Sequence, residues 1–404
     1  MIQKALSVPA VALLSTPAVA QVFEDPGAHP AGWRQVTFPS GTLTLKGRTY
    51  YPALAAGEDA AADPSMGPYP LAVLIHGQSF EPKDYDTFSL HLASWGYVIV
   101  SIGPLAGPLH APPSAAAKAV DMLAWMEQES ADPTSVYAGL VGGDAPYAAF
   151  GHSLGGNALE HLVALEPKLG ATVALEPYLD ASATLIANLA AYGGSTLSIG
   201  GELDLVVPPA EHAKPFFDAT GATGRNAYFE ILGAGHYGVL DALVPGASNP
   251  LPYEEQNRLH RKAVTAFLEA EIRGDENAYL ALFGEGAAGE PVVIESSCEL
   301  PPLWLDESAA SPGDLVLGLG GRPTEPAWIA YSPQPASIVS HHGTIGLDPA
   351  LLTLVYQGDL GALGAAEAQL LLPPLASGRT LYAQGLVLHP EQALLSRTAV
   401  YAVP

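Results

Sequence analysis

One stretch holds the residue types for nucleophilic acyl chemistry: Gly151-His152-Ser153-Leu154-Gly155-Gly156. It fits the G-x-S-x-G pattern, in which a strand turns sharply into a helix and lifts a serine hydroxyl above the end of a sheet. The apolar run Tyr147–Phe150 supplies the strand. Leu154, Ala158, Leu162 and Leu165 then recur at helical spacing. Glycines on both sides of Ser153 permit a strained turn and a close approach of helix to strand. The helix N-terminus below the serine favours negative charge.

A serine hydroxyl is a weak nucleophile and needs a base that a carboxylate orients. Two histidines after Ser153 are candidates. His212 lies in Ala210–Phe217, which is predicted to be helical, and His236 lies in the glycine-rich loop Gly233–Gly238. Parallel sheets place their sites in loops at the C-terminal ends of strands, which favours His236. Asp180, Glu202 and Asp204 are the candidate carboxylates. Asp204, immediately beyond a buried strand, is preferred, with Glu202 as the alternative. The tetrahedral oxyanion needs two preorganised N–H donors. Leu154, next to the nucleophile, and Gln78, in the loop after Leu71–Ile75, are placed to supply them. His76 is expected to support that loop.

These residues require a scaffold. Leu71–Ile75 is a continuous apolar run, as a strand covered on both faces should be; Tyr97–Ile102 is predicted to be the next buried strand, and Ala171–Leu175 and Leu197–Gly200 two more. Phe88–Trp95, Ala115–Glu129 and Glu255–Ile272 have helical spacing between or after them, and Ala227–Leu232 is predicted to be the last strand. Arg34–Pro39 and Thr42–Pro52 alternate as two antiparallel strands would. The expectation is an α/β domain over residues 21–289 with a doubly wound, mainly parallel sheet. Over residues 290–404 helical periodicity nearly vanishes. Short apolar runs, from Pro291–Glu295 and Leu315–Leu319 to Leu381–Leu388 and Thr398–Val403, predict an all-β sandwich.

The formal net charge of −25 argues against nucleic acid or an anionic membrane as partner. Residues 1–20 carry Lys4, an apolar stretch and Ala18-Val19-Ala20, the pattern of a secretory signal peptide. No other stretch is long and apolar enough to span a membrane. Cys298 is the only cysteine, so no intrachain disulfide can form. His341-His342 lacks a third ligand at suitable spacing, so no metal site is expected, and no cofactor is implied. A monomer is expected.

The hydrolase domain resembles the bacterial cutinase and polyester-hydrolase group, with chlorophyllase-like and dienelactone-hydrolase-like enzymes as wider kin. Arg48–Pro52, His91–Val98, Gly151–Gly156, Leu203–Pro208, His212–Phe217 and Gly233–His236 carry the resemblance. It implies the α/β-hydrolase fold, a triad of Ser153, Asp204 and His236, and an oxyanion hole from Gln78 and Leu154. The group's aromatic platform, usually a Trp after a Pro, would here be Tyr178, and its second platform position is Gln78. Tyr178, Gln78 and Val206 are the candidate substrate-binding residues. Residues 241–253 resemble an insertion beside the cleft. Leu381–Leu388 is similar to part of a β-domain appended to exported proteins of planctomycete- and myxobacteria-like bacteria.

The expected protein is a secreted bacterial serine ester hydrolase, extracellular or periplasmic, acting through an acyl-enzyme on bulky or polymeric esters, aromatic polyesters among them. One rival is a lipid-type or chlorophyllase/dienelactone-hydrolase-like esterase. The other is a non-catalytic surface-binding protein governed by its β-domain.

Overall fold

A computed structural model describes residues 22–403, apart from 106, 144, 222–223, 242–248, 283–286, 288, 297–302, 307–313, 322–323, 341–342, 362–363, 373–377, 390–391 and 397–398. The signal segment 1–20, Cys298, His341-His342 and most of the 241–253 insertion lie outside the described residues.

In chain order the first unit comprises β1 (Ala31–Ser40), β2 (Leu43–Pro52), β3 (Gly57–Glu58), β4 (Leu71–Ile75), α1 (Asp86–Ser94), β5 (Val98–Ile102), α2 (Pro112–Ala131), β6 (Tyr147–His152) and α3 (Leu154–Leu165). It continues with β7 (Leu169–Leu175), α4 (Ala183–Ala191), β8 (Ser195–Gly201), α5 (Ala213–Ala219), β9 (Ala227–Ile231), α6 (Tyr253–Glu271) and β10 (Val292–Ser296). The strands form one sheet in the order β10-β9-β8-β7-β6-β4-β5-β2-β1-β3. From β5 through β9 the neighbours are parallel. β1 and β2 pair antiparallel and attach to β5.

Side chains alternate across this sheet, and both faces are covered. Ala72 and Leu74 of β4 join a core that also holds Phe88 and Leu92 of α1 and Leu259 and Phe267 of α6. Leu71, Val73 and Ile75 of the same strand join the opposite core, with Leu123 of α2 and Leu159 of α3. A strand buried on both sides has no solvent-facing positions, which is why β4 is apolar throughout and β5 is apolar but for the buried Ser101. The order reverses at β4: the chain crosses to β5 on one side, then returns to β6 on the other. The loops beyond β4 and β6 meet at that switch point, where open parallel sheets hold their ligands.

One strand crosses the expected boundary at residue 290. Val292–Ser296 pairs antiparallel with Ala227–Ile231, so Ala227–Ile231 is not the last strand of this sheet. Val292 and Ile294 are buried while Val293 is exposed. That alternation is the signature of a half-covered edge strand, and in a run of five residues it is equally the signature of a β-sandwich strand.

The C-terminal region is antiparallel β. Leu303–Asp306, Asp314–Gly320 and Ala365–Leu371 form one sheet. Pro326–Ser332, Thr353–Asp359, Thr380–His389, Gln392–Leu395 and Ala399–Ala402 form another. Leu315, Leu317 and Leu319 from the first share a core with Ala327, Ile329 and Val387 from the second. Pro335–Ser340 and Gly343–Leu347 pair as a hairpin.

Candidate active site

Ser153 stands between β6 and α3 with φ +53° and ψ −116°, a conformation that L-residues avoid and that persists only when its surroundings over-determine it. The surroundings here are explicit. The Ser153 N–H donates to Leu175 O at 3.0 Å, and its carbonyl accepts from Gly156 N at 2.9 Å and Tyr178 N at 2.8 Å. A Cβ on Gly151 would collide with the Gly155 carbonyl, one on Gly155 with the Ile75 carbonyl, and one on Gly156 with Pro177. These glycines let α3 approach β4, β6 and the end of β7 closely enough to hold the turn. Gly155→Ala should therefore lower stability by about 3 kcal/mol, because a backbone carbonyl cannot move aside as a side chain can. Thermal unfolding should show a Tm drop of roughly 10 °C for a unit of this size.

His236 and Asp204 come together as the sequence predicts. The His236 Nδ1–H donates to Asp204 Oδ2 at 2.7 Å. Asp204 Oδ1 accepts from the backbone N–H groups of Val206 (2.8 Å) and Val207 (2.9 Å). Both side chains are buried. Leu203 N donates to Ala234 O at 2.8 Å, which ties the Asp204 loop to the His236 loop. The His236 ring lies 4.9 Å from that of His152, the residue before Ser153. With Nδ1 bound to the carboxylate, Nε2 is the atom left to exchange a proton.

The rival candidates have other partners. Glu202 accepts from Gly233 N at 2.8 Å, and Asp180 accepts from Ser182 N at 3.0 Å. His212 lies just before α5 rather than within it, and its Nδ1 accepts from Leu179 N at 3.1 Å. It thereby anchors the loop that carries Tyr178, whose ring lies 5.1 Å from the imidazole.

Gln78 and Leu154 line one cavity of about 340 Å³ with Ser79, Leu105 and His110. A Cβ on the adjacent Gly77 would stand 3.3 Å from Ser153 Cβ, so the loop after β4 abuts the serine. His76 is fully buried and serves that loop: Nδ1–H donates to Gly77 O at 2.8 Å, and Nε2 accepts from Leu105 N at 3.3 Å. Burial depresses its pKa to about 4, so it stays neutral. Tyr178 and Val206 are exposed, as are Leu203 and Leu205, the last at 93%. Among the described residues no group of three His, Cys, Asp or Glu side chains could hold a metal ion. Among them, too, no helix is long and apolar enough to cross a membrane.

Two buried arrangements escape the sequence. Tyr85 and His152 link the loops around Ser153. Glu176, at φ +39° just before Pro177-Tyr178, is completely buried and lies with Oε1 2.8 Å from His260 Nε2. Burial raises the Glu176 pKa, against the pull of His260. His260 Nδ1–H donates to Gln256 O at 2.7 Å, and Gln256 Oε1 accepts from Gly235 N, beside His236, at 3.2 Å. Apart from Gln256 and His260 on one helix, these partners stand tens of residues apart and have no motif spacing that could have signalled them.

A doubly wound sheet with a strained serine at its switch point and an Asp–His pair at its carboxyl edge defines the α/β-hydrolase class. Within that class the chain belongs to the PET hydrolase-like family, whose profile matches residues 14–243, more than half of the sequence. A 90-residue segment is 37% identical to "Cutinase 1" of Thermobifida cellulosilytica, covering 22% of this chain and 32% of that protein. Another match, also 37% over 90 residues, is the "Cutinase" of Thermobifida fusca (strain YX), 28% of which is covered. A longer match, 26% over 192 residues, is to the "Bis(hydroxyethyl) terephthalate hydrolase" of Streptomyces coelicolor, with 47% of this chain and 55% of the relative aligned. The matched segment thus spans about a third of the length of the cutinases.

Proposed function

We propose that this protein is an exported carboxylic-ester hydrolase that acts on polyesters through an acyl-enzyme. The observation that carries the reading is the 2.7 Å Asp204–His236 bond at the edge of the sheet that presents Ser153. Ser153 Oγ attacks the ester carbonyl as His236 Nε2 takes its proton. Asp204 orients the imidazole and stabilises the imidazolium. The N–H groups of Leu154 and Gln78 hold the oxyanion. His236 returns the proton to the departing alcohol, then activates the water that releases the acid and regenerates Ser153.

The substrate class rests on the surface beside this site. Tyr178, Leu203, Leu205 and Val206 project apolar groups from the two loops that flank Ser153 and Asp204. Such a patch favours contact with an extended apolar surface over a small polar ester. The relatives' names, cutinases and a bis(hydroxyethyl) terephthalate hydrolase, agree with ester substrates, an aromatic diester among them. Export follows the leader-like residues 1–20.

The test is direct. The wild-type protein should turn over a short nitrophenyl ester, release soluble acid from an aromatic polyester film, and take up one fluorophosphonate per chain at Ser153. Labelling without film hydrolysis would retain the esterase and remove the polyester. Neither labelling nor turnover would overturn the enzyme reading.

A further inference from the structure

Three loops must hold their places around Ser153 for the proposed reaction, and one buried chain of hydrogen bonds touches all three. We infer that Tyr85 and His152 are positioning residues that tether the oxyanion loop to the base loop across the nucleophile strand. The inference rests on the ester-hydrolase reading above.

The bonds fix one another's direction. The Gly77 N–H, next to Gln78, donates to Tyr85 Oη at 3.0 Å. Tyr85 Oη lies 2.7 Å from His152 Nδ1, and His152 Nε2 lies 3.0 Å from the carbonyl oxygen of His236. A carbonyl can only accept, so Nε2 carries the proton. Burial, reinforced by the neighbouring His236, holds the His152 pKa well below its ordinary value, so the ring is neutral and Nδ1 accepts. The Tyr85 hydroxyl must then donate to Nδ1, which leaves its oxygen to accept from Gly77. Each hydrogen has one place, and the chain runs without a break from Gly77 to His236. Tyr85 and His152 are buried, so water does not compete for these bonds. The Phe80 ring packs 5.9 Å from His152 and 6.5 Å from Tyr85 and helps enclose them.

The tether has a catalytic consequence because oxyanion donors act only at their correct distance. Losing the link frees the Gly77–Gln78 segment relative to Ser153 and the His236 backbone relative to its ring partner Asp204. Misplacement by about 1 Å costs on the order of a hundredfold in rate. Ground-state contacts of the exposed Tyr178 and Val206, on other loops, are untouched.

Tyr85→Phe removes one oxygen and keeps the ring. Its kcat on a short nitrophenyl ester should fall between about tenfold and a hundredfold, with KM within about twofold. Affinity for a boronic acid that forms a tetrahedral adduct on Ser153 should fall in proportion to kcat/KM. Tyr137→Phe is the control: it loses a buried hydroxyl bonded to Thr49 at 2.8 Å, remote from the site, and should keep kcat. At His152, Gln can both accept from Tyr85 and donate to the His236 carbonyl, so His152→Gln should retain more activity than His152→Leu. If Tyr85→Phe does not fold, that pair decides. A Tyr85→Phe enzyme with wild-type kcat and boronate affinity, or equal losses in His152→Gln and His152→Leu, would overturn the tether while leaving the esterase intact. An inactive, unlabelled wild type would overturn both.

Discussion

Ser153→Ala should lower kcat on a soluble nitrophenyl ester by about a million-fold and abolish fluorophosphonate labelling, while Tm stays at or slightly above that of the wild type. The substitution deletes one oxygen. The contacts that hold the strained turn are made by the Ser153 backbone, to Leu175, Gly156 and Tyr178, and none of them needs the hydroxyl. The collisions that exclude side chains at Gly151, Gly155 and Gly156 are likewise unaffected. What disappears is the atom that, in the proposed mechanism, forms the acyl-enzyme. The residual rate should exceed that of the uncatalysed reaction, because the proposed oxyanion donors, the Leu154 and Gln78 N–H groups, are retained. Affinity for a non-hydrolysable ester analogue should be unchanged, since the exposed Tyr178 and Val206 do not depend on Ser153. A loss smaller than about a hundredfold, with labelling retained elsewhere, would move the nucleophile to another residue.

How far the sequence exposes this site depends on whether each part is local. The elbow is legible because a single short stretch must contain the strand end, the strained residue and the small neighbours that let the helix close on it. Gly155 shows why: its Cβ would meet the Ile75 carbonyl, on a strand brought there only by the fold, yet the demand falls on one position in the motif. Asp204 and His236 are legible as loop residues just beyond β8 and β9, where parallel sheets concentrate chemistry. Spacing alone does not identify the partner of Asp204: His212 fits it as well as His236 does, and only the structure shows the His212 ring engaged by Leu179 N. Tyr85 and Glu176 were hidden for the opposite reason. Each acts through a residue 67 or 84 positions away: Tyr85 stands among charged residues that look like a solvated loop, and Glu176 closes an apolar run where its partner cannot be seen. The sequence alone groups the edge strand Val292–Ser296 with the β region, because alternation reports one covered face without saying which sheet covers it.

Asp204→Asn should lower kcat by about ten-thousand-fold with little change in KM, and the geometry gives the reason. Asp204 Oδ1 accepts two backbone N–H groups, from Val206 and Val207, and Oδ2 accepts the His236 Nδ1–H. An asparagine has one acceptor and one donor end. Its oxygen must stay with the two N–H groups, since turning the amide round would set donors against donors in a buried loop. The amide NH₂ then faces His236 Nδ1, which can accept it only by giving up its own proton. The neutral imidazole is forced into the Nε2–H tautomer, and the atom that should take the Ser153 proton already carries one. Stability should fall modestly, by about 1–3 kcal/mol, as charge-assisted bonds become neutral ones. Steady-state kinetics with a short nitrophenyl ester, alongside calorimetry, separates the two effects. Glu202→Gln is the comparison that makes the result decisive. Its carboxylate touches the Gly233 N–H and not the imidazole, so its kcat should stay within about threefold of wild type. If instead Glu202→Gln is crippled and Asp204→Asn is nearly intact, the orienting carboxylate is Glu202 and the base loop must shift to meet it.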